Sequence, residues 1–383
     1  MVSLVTLQEL LPLQEPEAGW DRNYGFWFRV FMLAAAVSHA YLIQGKYMVD
    51  DFVHSSRRLM CFVLGISGIY TGVGMVTAAN LVFPIPFFYI TMTPAFYVPL
   101  LILLYCILGK SRKLTKYVCF IATQKIMGVL YPIYQLLFRK VSTTEYVLPV
   151  ILLLPVIKIV AKNVVLHFTY HLEDLTPETV IFTVDFYNAL YLATCMESAS
   201  TISKLASSRK LAAIQPTSAA PKRRQGRVAG GPNGIPTDLI EHSNILRETL
   251  GVLYTTECLV LTAYLEAFVP LFYCTYMLYM VQLPNAEYHT ELRNVNRQNV
   301  EYTARVVFLF GLLQVGSFVL LVLLIRRNCG MTILYNLAFV LETQMALVQG
   351  KLLLWMLVTL ACRVVHFGAD YSFKFAWITG RVQ

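Results

Sequence analysis

The sequence predicts an all-α, polytopic membrane protein of about eight transmembrane helices, with nine as the alternative. Three observations carry this. First, the 383 residues are 57% apolar and only 14% charged, where a soluble domain is about 25% charged. Second, the apolar residues gather into segments of about 20, the length a helix needs to cross roughly 30 Å of hydrocarbon. Third, the net charge of +9 is concentrated. Lys204, Arg209, Lys210, Lys222, Arg223, Arg224 and Arg227 fall in one stretch with no acid among them, the mark of a cytoplasmic loop. The same composition excludes a soluble enzyme, a disordered chain and a disulfide scaffold.

Taken in order, residues 1–25 mix Leu with Gln, Glu and Pro and read as a cytoplasmic or interfacial segment, with no signal-peptide pattern. The first half of the bundle, 26–204, holds six apolar segments. Phe26–Ile43 is weakened by Arg29 and His39. Leu59–Asn80 ends at the Pro84 and Pro86 break, and Phe87–Leu108 follows. Tyr117–Phe138 contains Lys125 and Pro132, and Tyr146–Phe168 contains Lys158 and Lys162. The sixth starts with Thr176 as N-cap, Pro177 at N1 and Glu178 in the first turn, and runs to about Lys204. Residues 205–237, rich in proline and glycine, read as a basic disordered cytoplasmic loop. Residues 238–257 read as an amphipathic surface helix. The second half, 258–368, holds Cys258–Gln282, Ala304–Ile325 and Gln344–Phe367, the last preceded by a semi-polar helix, Met331–Thr343. Residues 369–383 form a tail.

Positive charge then tests the topology. With 204–257 placed inside, Glu173 and Asp174 fall outside, and Arg139, Lys140, Arg326 and Arg327 fall inside. Lys110, Arg112, Lys113 and Lys116 fall outside, against the rule, if Tyr117–Phe138 spans. A re-entrant or interfacial Tyr117–Phe138 removes the conflict, which gives the count of eight.

Ionisable groups inside a bilayer are costly and are functional candidates by default. The fifth and sixth segments form a hairpin about residue 173. In that hairpin Lys162 matches Asp185 in depth and Lys158 matches Asn188. Each pair of like position shares a helix face, at i,i+4 and i,i+3. Such a set is either a buried pair fixing helix register or a substrate or proton path. Glu197 and Glu266 form a second set at similar depth, with Pro270 freeing carbonyls nearby. In the second segment, Gly68-Ile-Tyr-Thr-Gly72 is a GxxxG pattern that favours close helix packing. Lys222, Arg223, Arg224 and Arg227 are placed to meet anionic lipid.

The eight cysteines show no CxxC or Cys/His ligand spacing, and the His167/His171 pair stands without the further histidine boxes an iron site needs. Neither a metal nor a cofactor is expected. No P-loop, GxSxG, HExxH or Rossmann pattern occurs, so an enzyme is not expected, and nothing points to nucleic acid. The bilayer is the expected partner, with the oligomeric state left open.

Three stretches, Val184–Glu197, Leu337–Glu342 and His366–Trp377, resemble parts of large, uncharacterised families of eukaryotic multi-pass membrane proteins. The resemblance implies an all-helical membrane fold and carries no assigned activity. Transport or permeation of a small polar solute or ion is the expected function. The rivals are a receptor or sensor signalling through the basic loop, and a membrane scaffold.

Overall fold

The computed structural model describes residues 8–48, 56–108, 112–141, 147–169, 180–193, 237–290, 292, 295, 300–330, 332–343, 345–361 and 363–368. The expected terminal tail, Glu197 and the basic residues Lys222, Arg223, Arg224 and Arg227 lie outside them. Among the described residues the fold is all-helical, and its one bridge, His289 to Val364, belongs to no strand.

The helices are α1 (Tyr24–Met48), α2 (Ser56–Asn80), a single turn α3 (Phe88–Thr91) continued by α4 (Thr93–Leu108), α5 (Arg112–Val141) and α6 (Val147–Thr169). Then come α7 (180–193), which opens with a π-helical turn at Ile181–Asp185, α8 (Thr237–Met280), α9 (Val300–Cys329), α10 (Ile333–Thr343) and α11 (Met345–Ala361). Among the described residues five stretches are long and apolar enough to cross a membrane: Tyr24–Lys46, Ser56–Asn80, Phe88–Ile107, Leu253–Met280 and Val300–Asn328. The α10–α11 pair, bent by 79°, makes a sixth if it acts as one broken span.

Two expectations need correction. Tyr117–Phe138 lies in α5, one unbroken helix of 30 residues, about 45 Å long at 1.5 Å per residue, which fits the spanning and interfacial alternatives and not the re-entrant one. The stretch 238–257 is no separate helix either, because α8 carries it into the apolar stretch without a break over 44 residues.

Contacts fix the helix directions. Cys274 bonds the carbonyl of Ala304 at 3.5 Å, while Val260 packs on Ile325 at the far ends, so α8 and α9 are antiparallel. The His289–Val364 bridge places the ends of α8 and α11 together. Tyr187 meets Trp355 at 5.0 Å, and Tyr191 meets Arg363 at 5.2 Å. The helix 180–193 therefore runs the same way as α11, and hence the same way as α8. The sixth and seventh apolar segments were expected to be antiparallel across the basic loop; they are parallel. That correction moves the charge conflict: Arg112, Lys113 and Lys116 join the side of Arg326 and Arg327, while Arg139 and Lys140, expected there, stand at the far end of the 30-residue α5. Tyr117, near the start of α5, donates to the carbonyl of Tyr41 near the end of α1. Arg57, Arg58, Arg112, Lys113, Lys116, Arg326 and Arg327 thus all belong to helix ends on one side of the bundle.

The other side is closed by a strap, residues 8–23. The amide of Leu13 donates to Asn285 Oδ1 at 2.8 Å, and Asn285 Nδ2 donates to the carbonyls of Glu9 and Leu11 at 2.7 and 2.9 Å. Glu9 grips Arg29 of α1 with both oxygens at 2.8 Å, and His289 Nε2 lies 3.2 Å from Glu9 Oε1. A bidentate carboxylate is how a helix buries an arginine at tolerable cost. Burial opposes ionisation of Glu9, but the hydrogen bond and field of His289, and then those of Arg29, outweigh it and hold the carboxyl below its usual range.

His366 fastens the strap at its middle, donating from Nε2 to the carbonyl of Gln14 at 2.7 Å. The imidazole stacks on Phe26 and meets Tyr288 edge-on, with centroids at 5.8 and 5.1 Å. The turn that carries it ends at Gly368, in the left-handed region at φ 59°, where a Cβ would stand 2.2 Å from the carbonyl oxygen of Ile85. Only glycine fits there.

Burial, aided by the charge of Arg29 and opposed by the Gln14 carbonyl, pushes His366 down to about 4 from 6.5. The unfolded chain therefore takes up this proton first as pH falls. The stabilising effect of the neutral ring is complete above pH 6.5 and is lost progressively as pH falls through about 4. Moving the detergent-solubilised protein from pH 7 to pH 5 should cost about 2 kcal/mol, read as a falling Tm. His366→Gln, which keeps a donor for Gln14, should flatten the profile over that interval. An unchanged slope in the variant would locate the sensitivity elsewhere.

Among the described residues the GxxxG pattern of α2 meets no partner helix. A Cβ on Gly68 or Gly72 would meet nothing within 4 Å, because both lie on the outer face of α2. The glycine that permits close packing is Gly74, where a Cβ would be 3.1 Å from Trp27 and 3.3 Å from Phe88.

Candidate functional site

Three helices converge on Asp185. Asp185 closes the π-helical turn of α7, a local widening of the helix that often marks functional positions. Its side chain is fully buried, at 0% exposure. On α6, Lys158 and Lys162 stand one turn apart and both reach it. Lys158 Nζ lies 3.0 Å from Oδ1, and Lys162 Nζ lies 2.9 Å from Oδ2. On α8, Thr262 donates to Oδ2 at 3.1 Å. One turn further along α8, Glu266 Oε1 accepts from Lys158 at 3.3 Å.

The four charges therefore form a ladder of alternating sign: Glu266, Lys158, Asp185, Lys162. The two inner members each touch two opposite charges, and the two outer ones touch one. The ladder sums to zero, which is the least costly way to hold four ionisable groups among apolar helices. It is not sealed. Lys158, Lys162 and Glu266 keep 23%, 32% and 27% of their side-chain surfaces exposed.

The structure brings together residues expected in two separate sets. The depth-matched Lys162 and Asp185 do pair. Lys158 makes no bond to Asn188; it turns instead to Asp185 and Glu266, and Asn188 is buried apart from it. Glu266 joins the lysines, while Glu197, its expected companion, lies outside the described residues. Thr262 was missed. Its signal was its spacing, one turn before Glu266 on the same helix face.

Other polar groups turn inward from α5. Lys125 of α5 donates to the carbonyl of Tyr89 at 3.0 Å and sits 3.1 Å from the centre of its ring. Gln124 and Gln44 are both buried and share one bond of 3.1 Å. Among the described residues no group of three His, Cys, Asp or Glu side chains could hold a metal ion.

Comparison with protein-family models, with curated proteins and with solved structures gives no match. The helices long and apolar enough to span make this a membrane protein in outline. What its site does rests on the site's own geometry.

Proposed function

We propose that the chain carries a small polar solute or an ion across a membrane, along a path through the Lys158–Lys162–Asp185–Glu266 ladder. The observation that supports this is the shared carboxylate of Asp185, fully buried yet bonded to two lysines whose outer surfaces stay open. A pair that served only to fix helix register would need one lysine and no exposure. By the positive-charge rule, the end bearing Arg57, Arg58, Arg112, Lys113, Lys116, Arg326 and Arg327 faces the cytoplasm. The strap then closes the opposite side.

The test is flux in reconstituted vesicles, with tracer solutes and with a proton-sensitive dye under an imposed gradient. The paired replacement Lys158→Met with Glu266→Gln removes one charge of each sign. It leaves the Lys162–Asp185 pair and the Thr262 bond in place, so the fold is expected to persist. Flux should fall at least tenfold. Absence of any flux from the unaltered protein, or full flux in the folded double variant, would overturn the proposal.

A further inference from the structure

Building on the permeation reading above, we infer that the solute is a small zwitterion, held between the two ends of the charge ladder. The ladder offers an asymmetric pair of vacancies. Glu266 has one cationic neighbour, Lys158 at 3.3 Å, and Lys162 has one anionic neighbour, Asp185 at 2.9 Å. These two ends are also the most open members, at 27% and 32% exposure, while Asp185 between them is at 0%. The groups with unused hydrogen-bonding capacity are thus the ones a solute can reach.

The sign of each end fixes the chemistry. Glu266 calls for an ammonium and Lys162 for a carboxylate. A solute with both closes the ladder into a ring in which every charge is flanked by two of opposite sign. A net cation or net anion leaves one end unmatched and adds an uncompensated charge to a neutral cluster among apolar helices, where isolated charge is heavily penalised. Size follows from the helices. Lys158 pairs with Glu266 and Asp185 bridges Lys162 to Thr262, so Lys162 and Glu266 are offset by one helical turn, about 5 Å along the bundle. A short amino acid, with a hydrogen bond at each end, bridges that span. Thr262 lies beside it as a further hydroxyl, already oriented by Asp185 at 3.1 Å.

The probes are β-alanine and glycine as zwitterions, propionate as the anion and propylammonium as the cation, each titrated against the purified full chain in detergent and read by thermal shift and tracer binding. β-Alanine or glycine is expected to bind at least tenfold more tightly than either single-charge probe. The paired replacement Lys162→Met with Glu266→Gln removes both ends and leaves the inner Lys158–Asp185 pair, so a folded protein that has lost zwitterion binding is the expected result. Tighter binding of propionate or propylammonium overturns the zwitterion, as does undiminished binding in that folded double variant. If none of the four probes binds while the vesicles still carry a proton flux, the zwitterion is again overturned and the permeation reading stands. Loss of every flux in the vesicle experiment removes both.

Discussion

Asp185→Asn is expected to cost about 3 kcal/mol of stability in detergent, the largest effect of any single replacement in the ladder. Its loss leaves Lys162 with no carboxylate at all, because that lysine has only Asp185 at 2.9 Å. Lys158 is cushioned, since Glu266 remains at 3.3 Å. Lys162→Met should cost less, because Asp185 keeps Lys158 at 3.0 Å and Thr262 at 3.1 Å. The double change removes the stranded cation together with its partner and should recover part of the loss. Equilibrium unfolding of the three variants in mixed micelles gives the coupling directly. Strictly additive costs would mean that the two side chains do not stabilise one another.

Arg29→Met should be comparably damaging, at about 3 kcal/mol or more. The guanidinium makes both 2.8 Å bonds to Glu9 within a nearly water-free site, with side chains 2% and 4% exposed. Without it, the buried Glu9 carboxylate keeps His289 at 3.2 Å, and Asn285 holds only the main chain of the strap. The strap should then detach, so limited proteolysis should newly cleave within residues 8–23. Adding Glu9→Leu removes the stranded carboxylate and should restore part of the stability, but not the protection, because the strap has still lost its anchor on α1. A strap that stays protected in Arg29→Met would show that Asn285 and His366 suffice to hold it.

Much of this was legible in the sequence, and what was missed has physical causes. The membrane class follows from composition and segment length. The Lys162–Asp185 pair follows from depth, because two consecutive antiparallel helices bring equal distances from their junction to one level. Glu266 escaped that logic. It comes from α8, which does not follow α6 directly in the chain, and no hairpin geometry relates it to α6. Arg29 was read as a weakness of the first segment, yet an arginine inside an apolar helix demands an anion. Glu9 supplies it, past the nearer acids Glu15, Glu17 and Asp21. The direction of α7 was misjudged because charge counting presumes that consecutive segments alternate, whereas α7 and α8 run parallel. The exposed Gly68 and Gly72 show that a small-residue pattern permits close packing but does not by itself supply the partner helix.

The strap also sets a schedule for the chain's birth. Gln14 finds its bond only on His366, 352 residues later, and Leu13 finds its bond on Asn285, 272 residues later. At synthesis speeds of about 5–20 residues per second, His366 follows Gln14 out of the ribosome by roughly 20–70 s. For that interval Glu9 and Arg29 can meet, but the seal around them has no far wall. The assembling helices therefore remain open on the strap side until the last turn of the bundle arrives.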